Sequence, residues 1–380
     1  MMNDSNRQIW MVDTTLRDGE QAPGVVFRPL ERIVIAQELA ACGIDEIEAG
    51  IPAMGRASCR EISALARLGL PCTLSSWCRA VKKDIELASD CRTPGVHISF
   101  PTSSILLRTF DKTEGWVLER LEELVRYARG YFDRISVGAQ DATRTDPGFL
   151  RQFAGQAKAL EVHRLRIADT VGLATPSGVM GIISSLAAAV PGLDLEFHGH
   201  NDLGMATANA VSAVDAGARA LSVTVNGLGE RAGNAPLEET AMALFGVGAR
   251  RGNIRLSGMA ELCRTVSRFS GRSIPPDKPI VGARIFSHES GIHCAGILKN
   301  PDAYEPFAPG SVGRRSRQFV IGSHAGGAVL RHVLRQRNIL LDKTDARRLL
   351  PRVRQKALAA NAPISPGELE RLYKEKNNGL

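Results

Sequence analysis

Two histidines that are two positions apart, His198 and His200, are the residues whose types and spacing most directly indicate chemistry. They follow residues 194–197 (DLEF), a short alternating run that predicts a β-strand. Because side chains two apart on a strand point the same way, both imidazoles can leave the strand end on one face. Neutral histidine is the commonest metal ligand, so the pair predicts half of a metal site. Two surface histidines, or two histidines satisfied within the core, are the alternative interpretation of this motif alone.

A carboxylate that could complete such a site follows another strand-like run, residues 9–12, far upstream. The segment 13–21 (DTTLRDGEQ) carries Arg17 and Asp18 side by side. One carboxylate and two imidazoles leave open positions on a divalent ion for a bidentate ligand such as an α-keto acid. Such an ion would polarise the keto oxygen, and Arg17 could stabilise the charge that develops there. Simple pairing of Arg17 with a strand-end carboxylate is the alternative.

Length and composition place the chain among globular enzymes. Its 380 residues, 44% of them hydrophobic, suffice for one large α/β domain and an appendage. No apolar run approaches the ~20 residues of a membrane span, and residues 1–7 are polar, without the core of a signal peptide. The seven cysteines are odd in number and form no CxxC pair, which indicates reduced thiols. We therefore expect a cytoplasmic protein with no membrane partner.

The formal net charge of +8 raises the question of a nucleic-acid partner. The excess of arginine lies mostly between residues 314 and 354, without interleaved aromatic residues or a recognisable nucleic-acid-binding fold. Solvated helical faces are the simplest explanation. A polyanionic small substrate such as a CoA thioester comes next, and we expect no nucleic-acid partner.

Strand-like runs alternate with amphipathic helical segments as far as about residue 250. The eight predicted strands are Ile9–Asp13, Glu46–Ala49, Thr73–Trp77, Val96–Phe100, Arg134–Val137, Arg164–Ala168, Leu195–His198 and Ala220–Val225. Eight strands, each followed by a helix, predict an α/β protein with a (β/α)8 TIM barrel. A dinucleotide-binding sheet would need a Gly-x-Gly-x-x-Gly turn after the first strand, and this chain has Arg-Asp-Gly-Glu there.

The alternation stops after about residue 250, which predicts a second region. We expect a catalytic barrel over residues 1–255, followed by a linker and smaller, mainly helical subdomains over residues 256–380. Residues 273–279 contain three prolines and are typical of a linker. Near the end, Ser365 and Pro366 predict the start of a helix that covers residues 369–376.

Barrel enzymes carry their chemistry at the carboxyl ends of the strands. The polar clusters of the first 235 residues fall mainly at those predicted ends, at residues 13–21, Glu48, 77–79, 101–102, 140–141, 169–170, 198–202 and 226–234. Single strand-end residues such as Glu48 or Thr170 could orient a substrate or merely cap the next helix. The three glycines of the 226–234 loop could let its backbone approach a ligand, although a tight turn also needs glycine.

Four motifs in order along residues 9–335 together resemble the DRE-TIM metallolyase superfamily. They are TLRDGEQ at 15–21, HGHND at 198–202, NGLGERAGN at 226–234 and SGIH at 290–293. Within this superfamily they resemble the acyl-CoA-condensing branch of homocitrate and isopropylmalate synthases. Residues 13–27 and 201–239 are most similar to the homocitrate synthases of nitrogen-fixing bacteria. In that group the product is the organic acid of the nitrogenase iron–molybdenum cofactor.

The resemblance implies a metal centre. Asp18, His198 and His200 would bind a divalent ion (Mg²⁺, Mn²⁺ or Zn²⁺), with Asn226 close to the ion or ligating it. The implied reaction is a Claisen condensation of acetyl-CoA with 2-oxoglutarate, followed by thioester hydrolysis to homocitrate and CoA.

The resemblance also implies roles for organic side chains. Arg17 would contact the keto oxygen of the acceptor, Thr170 its carboxylate, and Glu48 would organise the site. His293 resembles the general base or its activator, and Tyr304 its partner. In relatives both residues reach the barrel of the other subunit, which implies a homodimer in which the second region contributes to dimerisation and to the active site.

The chain departs from the family pattern around the acceptor. Relatives commonly have Glu-Asp where this chain has Gln140-Asp141, and Trp77-Cys78 lies near the place where lysine-pathway enzymes have a histidine. Arg134 matches an arginine that binds the distal carboxylate in those enzymes, although its spacing to Asp141 differs. Arg79 is the alternative partner for that carboxylate.

Other functions stay open at this point. A 2-isopropylmalate or citramalate synthase would perform the same chemistry on another 2-oxo acid, and an apolar acceptor pocket would favour it. An aldolase-like lyase would need neither CoA nor the second-region His293 and Tyr304. A non-catalytic basic binding protein would leave the metal motif unexplained. Leucine-regulated isopropylmalate synthases append a regulatory domain, and the short helical tail predicted here leads us to expect no inhibition by leucine.

Overall fold

The computed structural model describes residues 8–248 and 252–377, so the polar amino-terminal residues 1–7 lie outside the described part. Eight parallel strands close into a barrel in chain order, and β1 completes the circle by pairing with β8. The strands are β1 Trp10–Asp13, β2 Glu46–Glu48, β3 Thr73–Arg79, β4 Gly95–Pro101, β5 Arg134–Gln140, β6 Arg164–Asp169, β7 Asp194–Gly199 and β8 Ala220–Val223. The predicted TIM barrel is confirmed, and each predicted strand overlaps an observed one.

Helices follow the strands around the barrel. They are α1 Pro29–Ala41, α2 Arg56–Ala66, α3 Lys82–Asp90, α4 Ser104–Thr109, α5 Glu114–Ala128, α6 Pro147–Ala159, α7 Pro176–Ala189, α8 Ala206–Asp215, α9 Leu237–Ala241 and α10 Met259–Ser270. Several of these helices begin with a capping side chain. The side chains of Thr113, Asp146 and Thr175 accept hydrogen bonds from backbone N–H groups in the first turns of α5, α6 and α7.

Strands β2 and β6 carry charged residues at alternate positions, and these side chains are buried. In β6, Arg164 and Arg166 alternate with Leu165 and Ile167, and all four side chains are buried. Because neighbouring residues on a strand point to opposite faces, the arginines occupy one side of the sheet and the apolar residues the other. The apolar side of such a strand lies beneath the surrounding helices, and the polar side faces the barrel interior.

The chain divides into two compact units between Ile274 and Pro275, inside the proline-rich segment that was interpreted as a linker. The first unit therefore extends beyond residue 255, the barrel limit expected from sequence. Helix α10 belongs to it because this helix is tied to α1: the Thr265 hydroxyl donates a 3.0 Å hydrogen bond to Glu38 Oε1.

The second unit is mainly helical, as expected. It contains a short parallel pair, β9 Ser287–His288 and β10 Gln318–Phe319, and the helices α11 Gly291–Ile297, α12 Gly327–Arg335, α13 Lys343–Ala360 and α14 Pro366–Asn377. An apolar core with Val329, Leu330 and Leu349 at its centre holds α12 and α13 together. In neither unit does the described part of the chain contain a helix of the length and apolarity that crossing a membrane would require.

Candidate active site

The two histidines of the HGHND motif meet Asp18 at the carboxyl end of the barrel. His198 Nε2 lies 3.3 Å and His200 Nε2 3.9 Å from Asp18 Oδ2. The two Nε2 atoms are 3.4 Å apart, and all three side chains are buried. The sequence predicted that these residues meet, because His198 lies near the carboxyl end of β7, His200 follows that strand directly, and Asp18 lies in the loop after β1.

The protonation of this cluster suits a cation. Burial acts to raise the pKa of Asp18, but Arg17 and His198 together hold it well below its usual value. Burial and, to a smaller extent, the neighbouring His198 lower the pKa of His200 to about 4, although Asp18 acts in the opposite direction. At neutral pH the cluster therefore offers a carboxylate and a neutral His200. The candidate ligand atoms of Asp18, His198 and His200 all lie within 4.8 Å of one another. This donor set fits a divalent metal ion.

Asn226 lies elsewhere, and this corrects the expectation that it is close to the ion. Its side-chain Nδ2 donates to the carbonyl of Cys263 on α10 at 2.9 Å, and its backbone N–H donates to Glu238. The asparagine beside the cluster is Asn234, whose Nδ2 donates to Asp18 Oδ1 at 3.0 Å. The Asn234 Oδ1 atom is buried and has no hydrogen-bond partner among the described residues.

Backbone pairing explains why the far end of the 226–234 loop reaches the cluster. Asn234 forms an antiparallel bridge with His200, and the Ala235 N–H donates to the Gly199 carbonyl at 3.1 Å. Gly229 is needed for this return, because a Cβ atom there would lie 2.2 Å from Asn234 Nδ2 and 3.3 Å from Asp18 Oδ1. Both asparagines belong to the same predicted loop, and only the pairing of Asn234 with His200 determines that Asn234, and not the expected Asn226, turns towards Asp18.

Arg17 joins the cluster to a network of buried charges inside the barrel. Its Nη1 donates to Asp18 Oδ2 at 2.6 Å, and its Nε donates to Glu48 Oε2 at 2.5 Å. Glu48 is fully buried and also pairs with Arg166, whose Nη1 is 2.8 Å from Glu48 Oε1. Burial acts to raise the pKa of Glu48, but Arg166 and Arg17 keep it below its usual value. Glu48 is therefore the carboxylate that fixes Arg17 beside the candidate metal site.

Sequence analysis missed Arg166 as a site residue. It continues the network to Glu196, with Nε 2.7 Å from Glu196 Oε1, and Arg164 pairs with the other oxygen of that carboxylate at 2.5 Å. The signal was present in the sequence. Charged residues two apart on predicted strands, such as Glu46 and Glu48 or Arg164 and Arg166, must share one face, and paired charges on a buried face indicate an internal network.

A cavity of about 180 Å³ opens beside the cluster. Its walls comprise Arg17, Asp18, Gln21, Ile51, Trp77, His97, Ser99, Gly138, Ala139, Gln140, Arg166, Ala168, Thr170, His198, His200 and Glu230. Thr170 is in this wall as expected, where its hydroxyl accepts a hydrogen bond from the Asp141 N–H at 2.8 Å. Concave sites with a few converging polar groups are the usual ligand sites of enzymes.

Neither arginine predicted for a distal carboxylate lines this cavity, and both expectations are corrected. Arg79 is largely exposed and pairs with Asp84, with Nε 2.8 Å from Oδ2 and Nη2 2.9 Å from Oδ1. Arg134 begins β5, so it lies at the amino end of the barrel, where its guanidinium stacks 4.8 Å from the centre of the Trp10 ring. The arginines of the cavity wall are Arg17 and Arg166, and each is already paired with two carboxylates.

His97 on β4 is a second residue of the cavity wall that the sequence did not reveal. Its ring lies over Gly138, where a Cβ atom would be 2.6 Å from His97 Nε2. Its Nδ1 is 2.9 Å from the Ser136 hydroxyl. Burial, followed by the charges of Arg166 and Arg17, lowers the pKa of His97 well below its usual value, so the ring is neutral.

His293 and Tyr304 lie in the second unit. His293 is in the first turns of α11, and Tyr304 follows a short 3₁₀ turn at Pro301–Ala303. The two rings stack on each other, with centroids 4.3 Å apart and 30° between their planes. Both side chains are exposed in the single chain. The two rings are therefore in contact within the second unit.

Comparisons with known proteins agree with this architecture. Residues 8–266 match the HMGL-like family, and residues 280–361 match the family described as homocitrate synthase post-HMGL domain-like. The chain is 45% identical to 2-isopropylmalate synthase 2 of Caldanaerobacter subterraneus subsp. tengcongensis, over 97% of this chain and 96% of the relative. It is 42% identical to homocitrate synthase 1 of Nostoc sp., over 96% of each chain.

Solved structures show the same barrel. The crystal structure of hydroxymethylglutaryl-CoA lyase from Pseudomonas aeruginosa superposes with a TM-score of 0.64 at 20% identity, covering 70% of this chain and 95% of that chain. At that identity the likeness concerns the fold alone. The family matches and the close relatives show more: within the DRE-TIM, HMGL-like superfamily, this chain belongs to the family of isopropylmalate and homocitrate synthases, which are metal-dependent enzymes of the acyltransferase type.

Proposed function

We propose that the protein is a homocitrate synthase, which condenses acetyl-CoA with 2-oxoglutarate and hydrolyses the thioester to homocitrate and CoA. The observation that carries this proposal is the convergence of Asp18, His198 and His200 beside Arg17 in the wall of one cavity. Homocitrate made in this way would serve as the organic acid of the nitrogenase iron–molybdenum cofactor. The relatives named homocitrate synthase support this assignment.

The metal would be held by Asp18, His198 and His200, with the Asn234 amide beside them. A divalent ion supplies Lewis acidity toward the keto oxygen of the acceptor. Mg²⁺, Mn²⁺ and Zn²⁺ all suit a site with one carboxylate and two imidazoles, because this donor set discriminates poorly among them.

The remaining groups of the cavity would bind and orient the acceptor. Arg17 is fixed by Glu48 and Asp18, so its guanidinium is held in place to stabilise negative charge that develops on the keto oxygen. Thr170, in the wall of the same cavity, would donate its hydroxyl hydrogen to the carboxylate next to the keto group. Glu48 acts through Arg17 and is enclosed by the barrel.

Carbon–carbon bond formation needs a base. In our proposal His293 removes a proton from the methyl group of acetyl-CoA, and the resulting enolate carbon attacks the keto carbon of the acceptor. The keto oxygen takes up a proton, and water then cleaves the thioester to give the carboxylate and CoA. Tyr304, stacked on His293, assists this proton transfer. We propose a homodimer in which these two residues serve the barrel of the partner subunit.

The acceptor we propose, 2-oxoglutarate, carries a second carboxylate that the cavity must bind. A second carboxylate needs a cationic or hydrogen-bonding partner when it is buried. Arg166, with His97, Ser99 and Gln140 in the same wall, is the group we propose for it. Because the arginines of the wall are already paired with Glu48, Asp18 and Glu196, a 2-isopropylmalate or citramalate synthase with a less polar acceptor is the second candidate. The relative named 2-isopropylmalate synthase 2 supports that alternative.

Release of CoA from acetyl-CoA, measured with a thiol reagent on the purified protein, tests the function. The assay compares reactions without acceptor and with 2-oxoglutarate, 2-oxoisovalerate or pyruvate. We expect CoA release that depends on 2-oxoglutarate and a product with the mass of homocitrate. Acceptor-independent release would indicate a simple thioesterase and would contradict the proposal.

A further inference from the structure

Tyr304 is held in an unusual place for an exposed aromatic side chain. The residue is 42% exposed, yet its ring lies close to Gly296 of helix α11 and stacks on the imidazole of His293. An exposed tyrosine normally samples several rotamers, so a fixed stacked position needs a structural cause. Two features of the second unit provide it.

The first feature is Gly296, one turn after His293 on α11. A Cβ atom at this glycine would lie 2.5 Å from Tyr304 Cε2 and 2.9 Å from Cδ2. Such distances are well inside van der Waals contact, so any side chain at residue 296 would push the phenol ring off the helix. Gly296 is inside a helix, where alanine is intrinsically favoured by about 1 kcal/mol. The presence of glycine at residue 296 is thus explained by the space that the Tyr304 ring needs.

The second feature anchors the backbone on both sides of Tyr304. On one side, the Asn300 side chain accepts a 3.1 Å hydrogen bond from the Asp302 N–H. On the other side, Glu305 is buried, with one oxygen 3.0 Å from His288 Nε2 and the other accepting from Arg317 Nε at 2.6 Å. Because Glu305 adjoins Tyr304, its two bonds to β9 and to the segment before β10 fix the point from which the tyrosine side chain projects.

We propose that Gly296 and Glu305 are positioning residues that hold the Tyr304 ring on the His293 imidazole, so that the two groups meet the substrate as one preformed pair. This inference rests on the proposed function, in which His293 and Tyr304 take part in proton transfer. Misplacement of a reacting group by about 1 Å can lower a rate on the order of 10²-fold, so such positioning has a measurable effect.

Gly296→Ala tests the role of Gly296 directly. The variant should fold, because the clash is with the movable ring of an exposed side chain and alanine favours the helix. We expect kcat to fall on the order of 10²-fold with little change in either KM. Gly155→Ala is the matched control, since Gly155 lies inside α6 with nothing within 4 Å of a Cβ atom. Wild-type kcat in the Gly296→Ala enzyme would overturn the proposal.

A double variant separates positioning from general damage. If Gly296→Ala acts only by displacing Tyr304, then Gly296→Ala with Tyr304→Ala should be no slower than Tyr304→Ala alone. If the double variant instead loses kcat by the product of the two single-variant factors, the proposal is overturned. For Glu305, the Gln variant keeps one hydrogen-bond acceptor and should recover part of the kcat that the Ala variant loses. Equal losses in the two variants would remove Glu305 from the proposal.

Nuclear magnetic resonance of the full-length protein tests the same placement without any turnover. In protein labelled at histidine, the His293 ring signal should be shielded by the Tyr304 ring, and Gly296→Ala and Tyr304→Ala should move it downfield to a similar position. His293→Gln identifies the signal. An unmoved His293 signal in Gly296→Ala protein would overturn the proposal even if the enzyme proved to have another activity. A displaced signal in protein that fails to condense acetyl-CoA would support the positioning and contradict the proposed function alone.

Discussion

Asn234 Nδ2 donates a 3.0 Å hydrogen bond to Asp18 Oδ1, although the two residues are 216 positions apart in the chain. The bond joins the loop after β8 to the loop after β1, and it puts a neutral amide beside the candidate metal ligands. Asn226 lies in the same β8 loop but is directed to α10, where it bonds the Cys263 carbonyl. The two asparagines therefore form a natural pair for comparison.

We expect Asn234→Ala to weaken metal binding and to lower activity, because Asp18 loses the amide that orients it. Outer partners of metal ligands typically contribute 10- to 100-fold in metal affinity. Asn226→Gly is the matched control, since glycine tolerates the backbone φ of 60° at this position. It should cost about 1 kcal/mol of stability through the lost bond to Cys263 and leave metal affinity unchanged. Titration of metal-free protein with Mn²⁺ measures the metal affinity of the two variants. Weaker binding in Asn226→Gly together with unchanged binding in Asn234→Ala would place Asn226, and not Asn234, at the metal site.

Changing Asp18, His198 or His200 to alanine should abolish turnover and metal retention while the barrel stays folded. The three side chains meet at one end of the barrel, and apolar residues such as Ile47, Ile98 and Phe100 form the core that holds it. A chelator should inactivate the wild type, and Mg²⁺, Mn²⁺ or Zn²⁺ should restore activity. Metal content by mass spectrometry and thermal unfolding separate loss of the ion from loss of the fold. Full activity of stripped protein would exclude a metal role.

The sequence predicted the barrel because its signal is local. Alternating runs such as Arg164–Ala168 indicate the strands. The rule that catalytic residues lie at the carboxyl ends of barrel strands then predicts that Asp18 lies near His198 and His200. Which loop residue turns inward is not local. Asn234 reaches the cluster because it pairs with the backbone of His200, and that pairing depends on how β7 and β8 lie side by side.

The prediction that Arg79 or Arg134 binds the distal carboxylate of the acceptor was wrong for a related reason. Arg134 is near a strand end, but it is the amino end, opposite the site. Arg79 is at the correct end, yet it pairs with Asp84, five residues later, in the first turn of α3. Arg166 was overlooked although its spacing from Arg164 placed both inside the barrel. Charged residues at alternate strand positions were the better guide to the buried network.

His293→Ala should lower kcat by roughly 10²–10⁴-fold, the usual range for a positioned acid–base group, with little effect on acceptor binding. If His293 serves the partner subunit, mixing inactive His293→Ala with inactive Asp18→Ala protein should recover part of the activity, because mixed dimers contain one complete site. Subunit exchange can be verified by native mass spectrometry of tagged protein. Confirmed exchange without recovery would place His293 with the barrel of its own chain.

Asp13 gives a prediction for stability against pH. Burial raises its pKa from 3.8 to about 7, with smaller contributions from Glu238 and Glu48, while hydrogen bonds from Thr15 act in the opposite direction. Between these pH values the folded protein holds a proton that the unfolded chain has released, so stability falls as pH rises through this range. Asp13→Asn removes the charge and keeps an oxygen that accepts the Thr15 N–H, whereas its amide nitrogen can only donate to the Thr15 hydroxyl oxygen. Its melting temperature should therefore exceed that of the wild type more at pH 8 than at pH 4.5, whereas the exposed Asp194→Asn should show no such trend.

Acceptor choice tests the most specific part of the proposed function. The ratio of kcat/KM for 2-oxoglutarate to that for 2-oxoisovalerate should favour 2-oxoglutarate. Arg79→Ala and Arg134→Ala should leave this ratio unchanged, because neither side chain lines the cavity. Arg166→Lys keeps the charge but loses the paired geometry with Glu48 and Glu196, so it should lower kcat/KM for 2-oxoglutarate more than for pyruvate, which has no distal carboxylate. If Arg166→Lys loses the same factor in kcat/KM for both acceptors, Arg166 serves only the internal network of charges. Faster turnover of 2-oxoisovalerate than of 2-oxoglutarate by the wild type would favour the isopropylmalate synthase assignment.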